Sequence, residues 1–161
     1  MTLKKIFKNT LLLITACLIL SSCATQKTVT TGAQMQGDVY TGTDTVKELA
    51  PGVPDRVFFA TNESILTTAS RETLRKQAEY LRKNSSMNIV VEGHADERGT
   101  REYNLALGER RANAAKDYLM TYGISASRIS VISYGKERPV DSGSNTLAWS
   151  KNRRSVTFKA N

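Results

Sequence analysis

The chain has 161 residues, with 23 Lys+Arg against 15 Asp+Glu, one His and two Cys, for a formal net charge of +8. That length suggests one domain with additional segments. The basic excess favours polyanions in general, but there is no RNA-binding signature, zinc-finger spacing or basic helix interleaved with aromatics to make nucleic acid the partner.

In chain order, Lys4, Lys5 and Lys8 precede a short apolar run, Thr10 to Leu20. This is the pattern of a signal peptide. The run covers only about half of the ~20 residues that span a bilayer, which argues against a transmembrane anchor. It ends in Leu20-Ser21-Ser22-Cys23, which resembles the lipobox of bacterial lipoproteins. The resemblance implies cleavage after residue 22, diacylglycerol on the Cys23 thiol and an acyl chain such as palmitate on the new amino terminus. Ala24, rather than Asp, follows Cys23, which is compatible with export to the outer membrane. Cleavage removes Cys17 and the three lysines, so the formal net charge falls from +8 to +5. The remaining domain then has no thiol with which to form a disulfide, and packing alone must hold it. An exported protein also meets little nucleic acid.

Residues 23–54 form the lipidated start and a flexible tether, rich in Thr, Gly and Gln and without a sustained period. A domain over 55–161 follows. Arg56 to Thr61 is rich in strand formers. Thr67 or Thr68 caps a helix whose apolar face is Leu74, Ala78 and Leu81. Met87 to Glu92 is a second strand. A long helix begins near Thr100 or Glu102, carries Leu105, Gly108, Ala112, Ala115 and Leu119 at spacings of three and four, and stops at Gly123. Its small residues allow close approach to a sheet. Ser125 to Arg128 is a one-turn connector. Ile129 to Tyr134 and Ser155 to Lys159 are the last strands, joined by a polar stretch apart from Trp149. The order β-α-β-α-β-β predicts an α+β domain of two layers, with helices on one face of a small mixed sheet.

The loop GHADERG, residues 93–99, joins the second strand to the long helix. Glycines at both ends permit a tight turn. Asp96 then sits near a helix start, where an anion is favoured. Arg111 lies about two turns into the helix on the stripe of Asn104 and Leu107. Asp suits an ammonium and Arg a carboxylate, so the pair suits the head group of an amino acid. A direct Asp96–Arg111 salt bridge is the alternative from spacing alone.

The stretch GHADERGTREYNLALGERRANAAKDYL closely resembles the signature of the OmpA-like peptidoglycan-binding family, in the variant found in lipoproteins of the Tol–Pal system. The resemblance continues through VISYGKERP and SKNRRSV and covers roughly Asp55 to Phe158. It implies non-covalent binding to the meso-diaminopimelate of the peptidoglycan stem peptide, with no turnover and no cofactor. It places the key acid at Asp96 and the key base at Arg111, with secondary contacts from Asn104 and from Arg153 or Arg154. Backbone contacts would come from Ala60 to Asn62. Many relatives carry acidic residues where this chain has Ala60 and Asn62, so side-chain contacts there are not implied. The resemblance also implies binding to TolB and other Tol proteins, with Glu97, Arg98, Glu102 and Tyr103 as candidates by position. The role implied is tethering the outer membrane to the cell wall, for envelope integrity and constriction in cell division.

Two other classes compete. Glu92, Asp96 and Glu97 could imitate the paired carboxylates of a glycan hydrolase. The single His94 reads as a hydrogen-bonded structural residue rather than a catalyst, and a zinc site would lack ligands. A protein-interaction scaffold acting mainly through TolB is the third reading.

Overall fold

The computed structural model describes residues 35–160. Cys23 and the leader expected before it lie outside the described residues. The domain centres on a four-stranded sheet in the order β5-β8-β6-β7. Its strands are β5 (Arg56–Phe58), β6 (Ile89–His94), β7 (Ile129–Gly135) and β8 (Arg154–Lys159). β6 and β7 run parallel, while β8 is antiparallel to both β5 and β6. This is the mixed sheet that the element order predicts.

Two helices cover one face of the sheet. Helix α1 spans Thr68–Lys83 and is capped by Thr67, whose hydroxyl accepts the Ser70 N–H. Helix α2 spans Arg101–Thr121 and is capped by Thr100, which accepts from Tyr103. Such a cap satisfies an N–H that the first helical turn leaves without a partner. Beyond the end of α2, Gly123 takes φ +84°, and its N–H closes on the Met120 carbonyl. A single 3-10 turn, Ala126–Arg128, leads into β7. Arg128 fixes this corner by donating to the carbonyls of Leu81, Asn84 and Met87.

Pairing register decides which side chains enter the core. Val57, Ile89, Val91 and Ile129 face the helices and pack on Leu74, Ala78, Leu81, Ala112, Ala115 and Leu119. Gly93 meets Gly108 of α2 so closely that a Cβ on either residue would overlap atoms across the contact. The expected close approach through small residues is therefore present, with Leu107 rather than Leu105 buried at the start of the seam.

Three features depart from the sequence reading. Residues 35–54 are not a featureless tether. They form two short hairpins, β1 (Met35–Gln36) with β2 (Val39–Tyr40) and β3 (Glu48–Ala50) with β4 (Val53–Pro54). Tyr40 explains the first: it is 2% exposed and packs edge-on against Phe58, with ring centroids 4.8 Å apart. Asp55 explains the second by accepting the Lys47 N–H at 3.0 Å while its own N–H bonds the Lys47 carbonyl. Secondly, the polar stretch before β8 contains helix α3, Thr146–Asn152, capped by Asn145. It is too short to display a period. Thirdly, β6 runs through Gly93 and His94, so the loop proper begins at Ala95.

Candidate functional site

The C-terminal end of β6, the loop that follows, the first three turns of α2 and the residue before β8 bring a set of charged side chains together under very low exposure. Asp96 is 7% exposed, Arg153 1% and Arg111 0%. Buried charges need partners, and their partners define the site.

Asp96 is held by two arginines. The Arg98 Nε donates to Asp96 Oδ1 at 3.0 Å and its Nη2 to Oδ2 at 2.7 Å, while the Arg98 backbone N–H also reaches Oδ1. The Arg153 Nη1 lies 3.4 Å from Oδ2. Burial alone would raise the Asp96 carboxyl, but the hydrogen bonds from Arg98 outweigh it and hold the group below the usual carboxylate range. Asp96 is therefore an anion at neutral pH. Gly99, at φ +92°, turns the chain from this loop towards the Thr100 cap of α2.

Arg111 does not pair with Asp96. It donates to three main-chain carbonyls, those of Glu63 at 2.8 Å, His94 at 2.9 Å and Ala60 at 3.0 Å. Burial, reinforced by neighbouring Arg153, pushes its pKa down to about 10, which still leaves it cationic at neutral pH. Its guanidinium carries five N–H donors, so two remain beyond these three bonds. Arg111 shares one buried stripe with Asn104 and Leu107, as the spacing predicts. Asn104 steadies the loop by donating to the Arg98 carbonyl at 2.9 Å.

Arg153 and Arg154 separate. Arg153 points to Asp96 and also donates to the Phe59 carbonyl at 3.1 Å. Arg154 donates to the carbonyls of Asn152 and Arg138 instead. Its charge acts on His94.

A cavity of about 250 Å³ opens at Asp96, lined among others by Thr61, Asn62, Asp96, Arg98, Tyr103 and Asn104, while the buried Arg111 and Arg153 do not line it. Tyr103 donates its hydroxyl to Asn62 across the opening. A larger cavity of about 520 Å³ lies between β2, β5 and the start of α1. It is lined by Val39, Tyr40, Val57, Phe58 and threonines, and offers a cationic ligand no carboxylate. The smaller cavity is the chemically equipped one.

Of the residues read as partner-facing, Arg98 and Tyr103 line this cavity, and Glu102 is exposed beside it. Glu97 does not line it but a separate small cavity with Lys136 and Pro139, and its carboxylate accepts Trp149 Nε1 at 2.8 Å and the Ser144 hydroxyl at 3.1 Å. The Arg98 guanidinium stacks over Trp149 at 4.4 Å. The sequence reading missed Arg98 as the first partner of Asp96. An acid and a base two residues apart beside a glycine is the signal that was available.

The three carboxylates of the hydrolase reading do not form a pair. Glu92 sits 3.5 Å from His94 Nε2, Asp96 lies between arginines and Glu97 is bound to Trp149. His94 is buried, but neither ring nitrogen has a hydrogen-bond partner among the described residues, contrary to expectation. It is held by packing, stacked on Tyr134 with centroids 5.8 Å apart. Burial, with Arg154, Arg56 and Arg138 nearby, pushes its pKa down to about 3.

This α+β fold, with an acid at the end of its central strand and an arginine on the following helix, defines a class: the chain belongs to the OmpA family, whose model matches residues 58–153. Over nearly its full length it is similar to the peptidoglycan-associated lipoproteins. That of Mesorhizobium japonicum is 44% identical over 146 residues, covering 89% of this chain and 87% of that protein. That of Agrobacterium fabrum is 42% identical over 159 residues, covering 96% and 90%. The crystal structure of the peptidoglycan-associated lipoprotein from Burkholderia pseudomallei superposes with a TM-score of 0.64 at 34% identity, over 66% of this chain and 90% of that one. The C-terminal domain of Helicobacter pylori MotB, at 21% identity and a TM-score of 0.62 over 66% of this chain and 84% of that one, shares the fold. Among the described residues no helix is long and apolar enough to cross a membrane.

Proposed function

We propose that this chain is an outer-membrane lipoprotein, anchored by lipid on Cys23, whose domain binds peptidoglycan through the meso-diaminopimelate of the stem peptide and does not turn it over. One observation carries the reading. A largely buried carboxylate, held ionised by arginines, faces a cavity in a member of the OmpA family whose relatives are named peptidoglycan-associated lipoproteins.

Diaminopimelate ends in an ammonium and a carboxylate on one carbon. Asp96 takes the ammonium, which must share or displace the Arg98 guanidinium now on it. Arg111, fully buried and outside the cavity lining, takes the carboxylate with its two remaining donors once the cavity opens down to it, while its other bonds hold the carbonyls of Ala60, Glu63 and His94. Arg153 steadies Asp96 from behind, and Asn104 holds the loop. A lysine-type stem lacks the second carboxylate and leaves the Arg111 donors without their partner.

The same surface is the proposed contact for TolB in the Tol–Pal system, because Arg98 and Tyr103 line the cavity and the exposed Glu97 and Glu102 neighbour them in sequence. Wall and TolB then exclude each other, and the protein becomes a switchable tether between outer membrane and wall that supports envelope integrity and constriction in division. The scaffold reading differs in one respect: TolB, not wall, would be the main partner.

The test is sedimentation of the purified chain with diaminopimelate-type sacculi, wild type beside Asp96→Ala, with circular dichroism as a folding control. The wild type is expected in the pellet and the folded variant in the supernatant. Undiminished binding by the variant would remove the site assignment. Release of soluble fragments from the sacculi would restore the hydrolase reading.

A further inference from the structure

The wall of the cavity is tied to a hairpin that precedes the matched family region. Asp38 occupies the turn between β1 and β2. Its carboxylate accepts the backbone N–H of Thr61 at 2.6 Å. Thr61 lines the cavity. The backbone carbonyl of Asp38 accepts from Arg153, whose Nη2 also lies 3.9 Å from the Asp38 carboxylate. The Nη1 of the same guanidinium lies 3.4 Å from Asp96. One buried arginine is thus shared between the carboxylate of the site and a turn 58 positions before it in sequence.

We propose that Asp38 is a positioning residue of the cavity, so that docking of the β1–β2 hairpin and binding of ligand at Asp96 reinforce each other. The ligand's identity rests on the reading under Proposed function. Without the Asp38 carboxylate, the Thr61 N–H loses its acceptor and the cavity wall loses a fixed point. Arg153 loses a counter-charge and shifts its weight onto Asp96, where it competes with an incoming ammonium. Holding Arg153 between two carboxylates keeps part of the Asp96 charge available. Linkage requires the reverse as well: an occupied cavity holds the hairpin down. The hairpin is also the first described element after the proposed lipid anchor, so tension on the tether would act on it before it reached the sheet.

The experiment titrates the chain with a soluble muropeptide carrying meso-diaminopimelate, comparing wild type, Asp38→Asn, Asp38→Glu and Asp96→Ala. Asp38→Asn is expected to bind roughly three- to tenfold more weakly, less than the roughly ten- to hundredfold of a charge-assisted bond made to the ligand itself because Asp38 acts through Thr61 and Arg153, with an unchanged melting temperature. Asp38→Glu recovers part of the loss. In the wild type, amide hydrogen exchange over residues 35–43 and at Thr61 slows on saturation with the muropeptide. Affinity of Asp38→Asn within about twofold of wild type overturns the proposal, as does exchange that ignores the ligand. The wild-type exchange measurement decides alone if Asp38→Asn does not fold. Wild-type affinity in Asp96→Ala would instead remove the ligand reading, an outcome distinct from an indifferent Asp38 beside an essential Asp96.

Discussion

Two sealed layers lie side by side in this domain. Between sheet and helices, Leu81, Val91, Ala112 and Leu119 are fully buried and held by non-directional contact. At the strand ends, Arg111 and Arg153 are as deeply buried but are held by hydrogen bonds to named carbonyl and carboxylate oxygens. The first layer tolerates any side chain of similar volume in a permitted rotamer. The second does not, because removing one donor leaves several acceptors buried without partners. The first layer makes the fold, and the second spends part of that stability to hold charges where a ligand can use them.

Placing the same residue in both layers breaks the comparison most sharply. Leu81→Met is expected to cost under about 1.5 kcal/mol. Arg111→Met is expected to cost about 3–5 kcal/mol, because the carbonyls of Ala60, Glu63 and His94 all lose their donor. Urea unfolding of the two variants measures the difference, and equal costs would mean that the arginine layer contributes no more than packing.

The next largest effect belongs to the outer face of the sheet, where His94 is buried against Tyr134 with no hydrogen bond among the described residues. Its folded pKa of about 3 lies below the unfolded value of about 6.5. Above pH 6.5 it is neutral in both states and adds no pH dependence. Below that, the unfolded chain gains a proton that the folded one refuses, so stability falls by about 1.4 kcal/mol per pH unit until pH 3. Wild type is therefore expected to lose about 2 kcal/mol between pH 6.5 and 5. His94 is the only histidine, so His94→Phe should remove this slope, as unfolding curves at the two pH values would show. Asp96 behaves differently. Its pKa is held below the ordinary value, so its contribution is complete above about pH 4 and is lost only as pH falls through the depressed value.

The smallest effect is a helix cap. Thr100→Ala removes the acceptor of the Tyr103 N–H at the start of α2 and is expected to cost about 1 kcal/mol. Because the same turn follows the Asp96 loop, muropeptide affinity should fall with it. A stability loss with unchanged affinity would show that the loop holds its shape without the cap.

The two layers were not equally legible in the sequence. Leu74, Ala78 and Leu81 repeat at helical spacing, and Gly108, Ala112 and Ala115 announce a close helix–sheet seam. Periodicity reports burial, and these residues are buried. Asp96 and Arg111 were also legible, but through a motif, and a motif names residues without naming their partners. Nothing in the spacing told that Arg98 would fold back onto Asp96 or that Arg111 would spend three donors on the main chain. The hairpins over residues 35–54 were hidden because each depends on one long-range anchor, Tyr40 on Phe58 and Asp55 on Lys47. Helix α3 was hidden because its seven residues depend on the Asn145 cap and on Trp149 meeting Glu97.

The most direct measurement of the central claim is a calorimetric titration of the wild-type chain with two soluble muropeptides that differ only at the third residue of the stem, meso-diaminopimelate or lysine. If Asp96 holds the ammonium and Arg111 the extra carboxylate, the diaminopimelate form binds more tightly by roughly ten- to a hundredfold, the value of about 1.5–3 kcal/mol for one charge-assisted bond. Equal affinities would contradict the clasp and reduce the contact to general attraction between a basic domain and the wall.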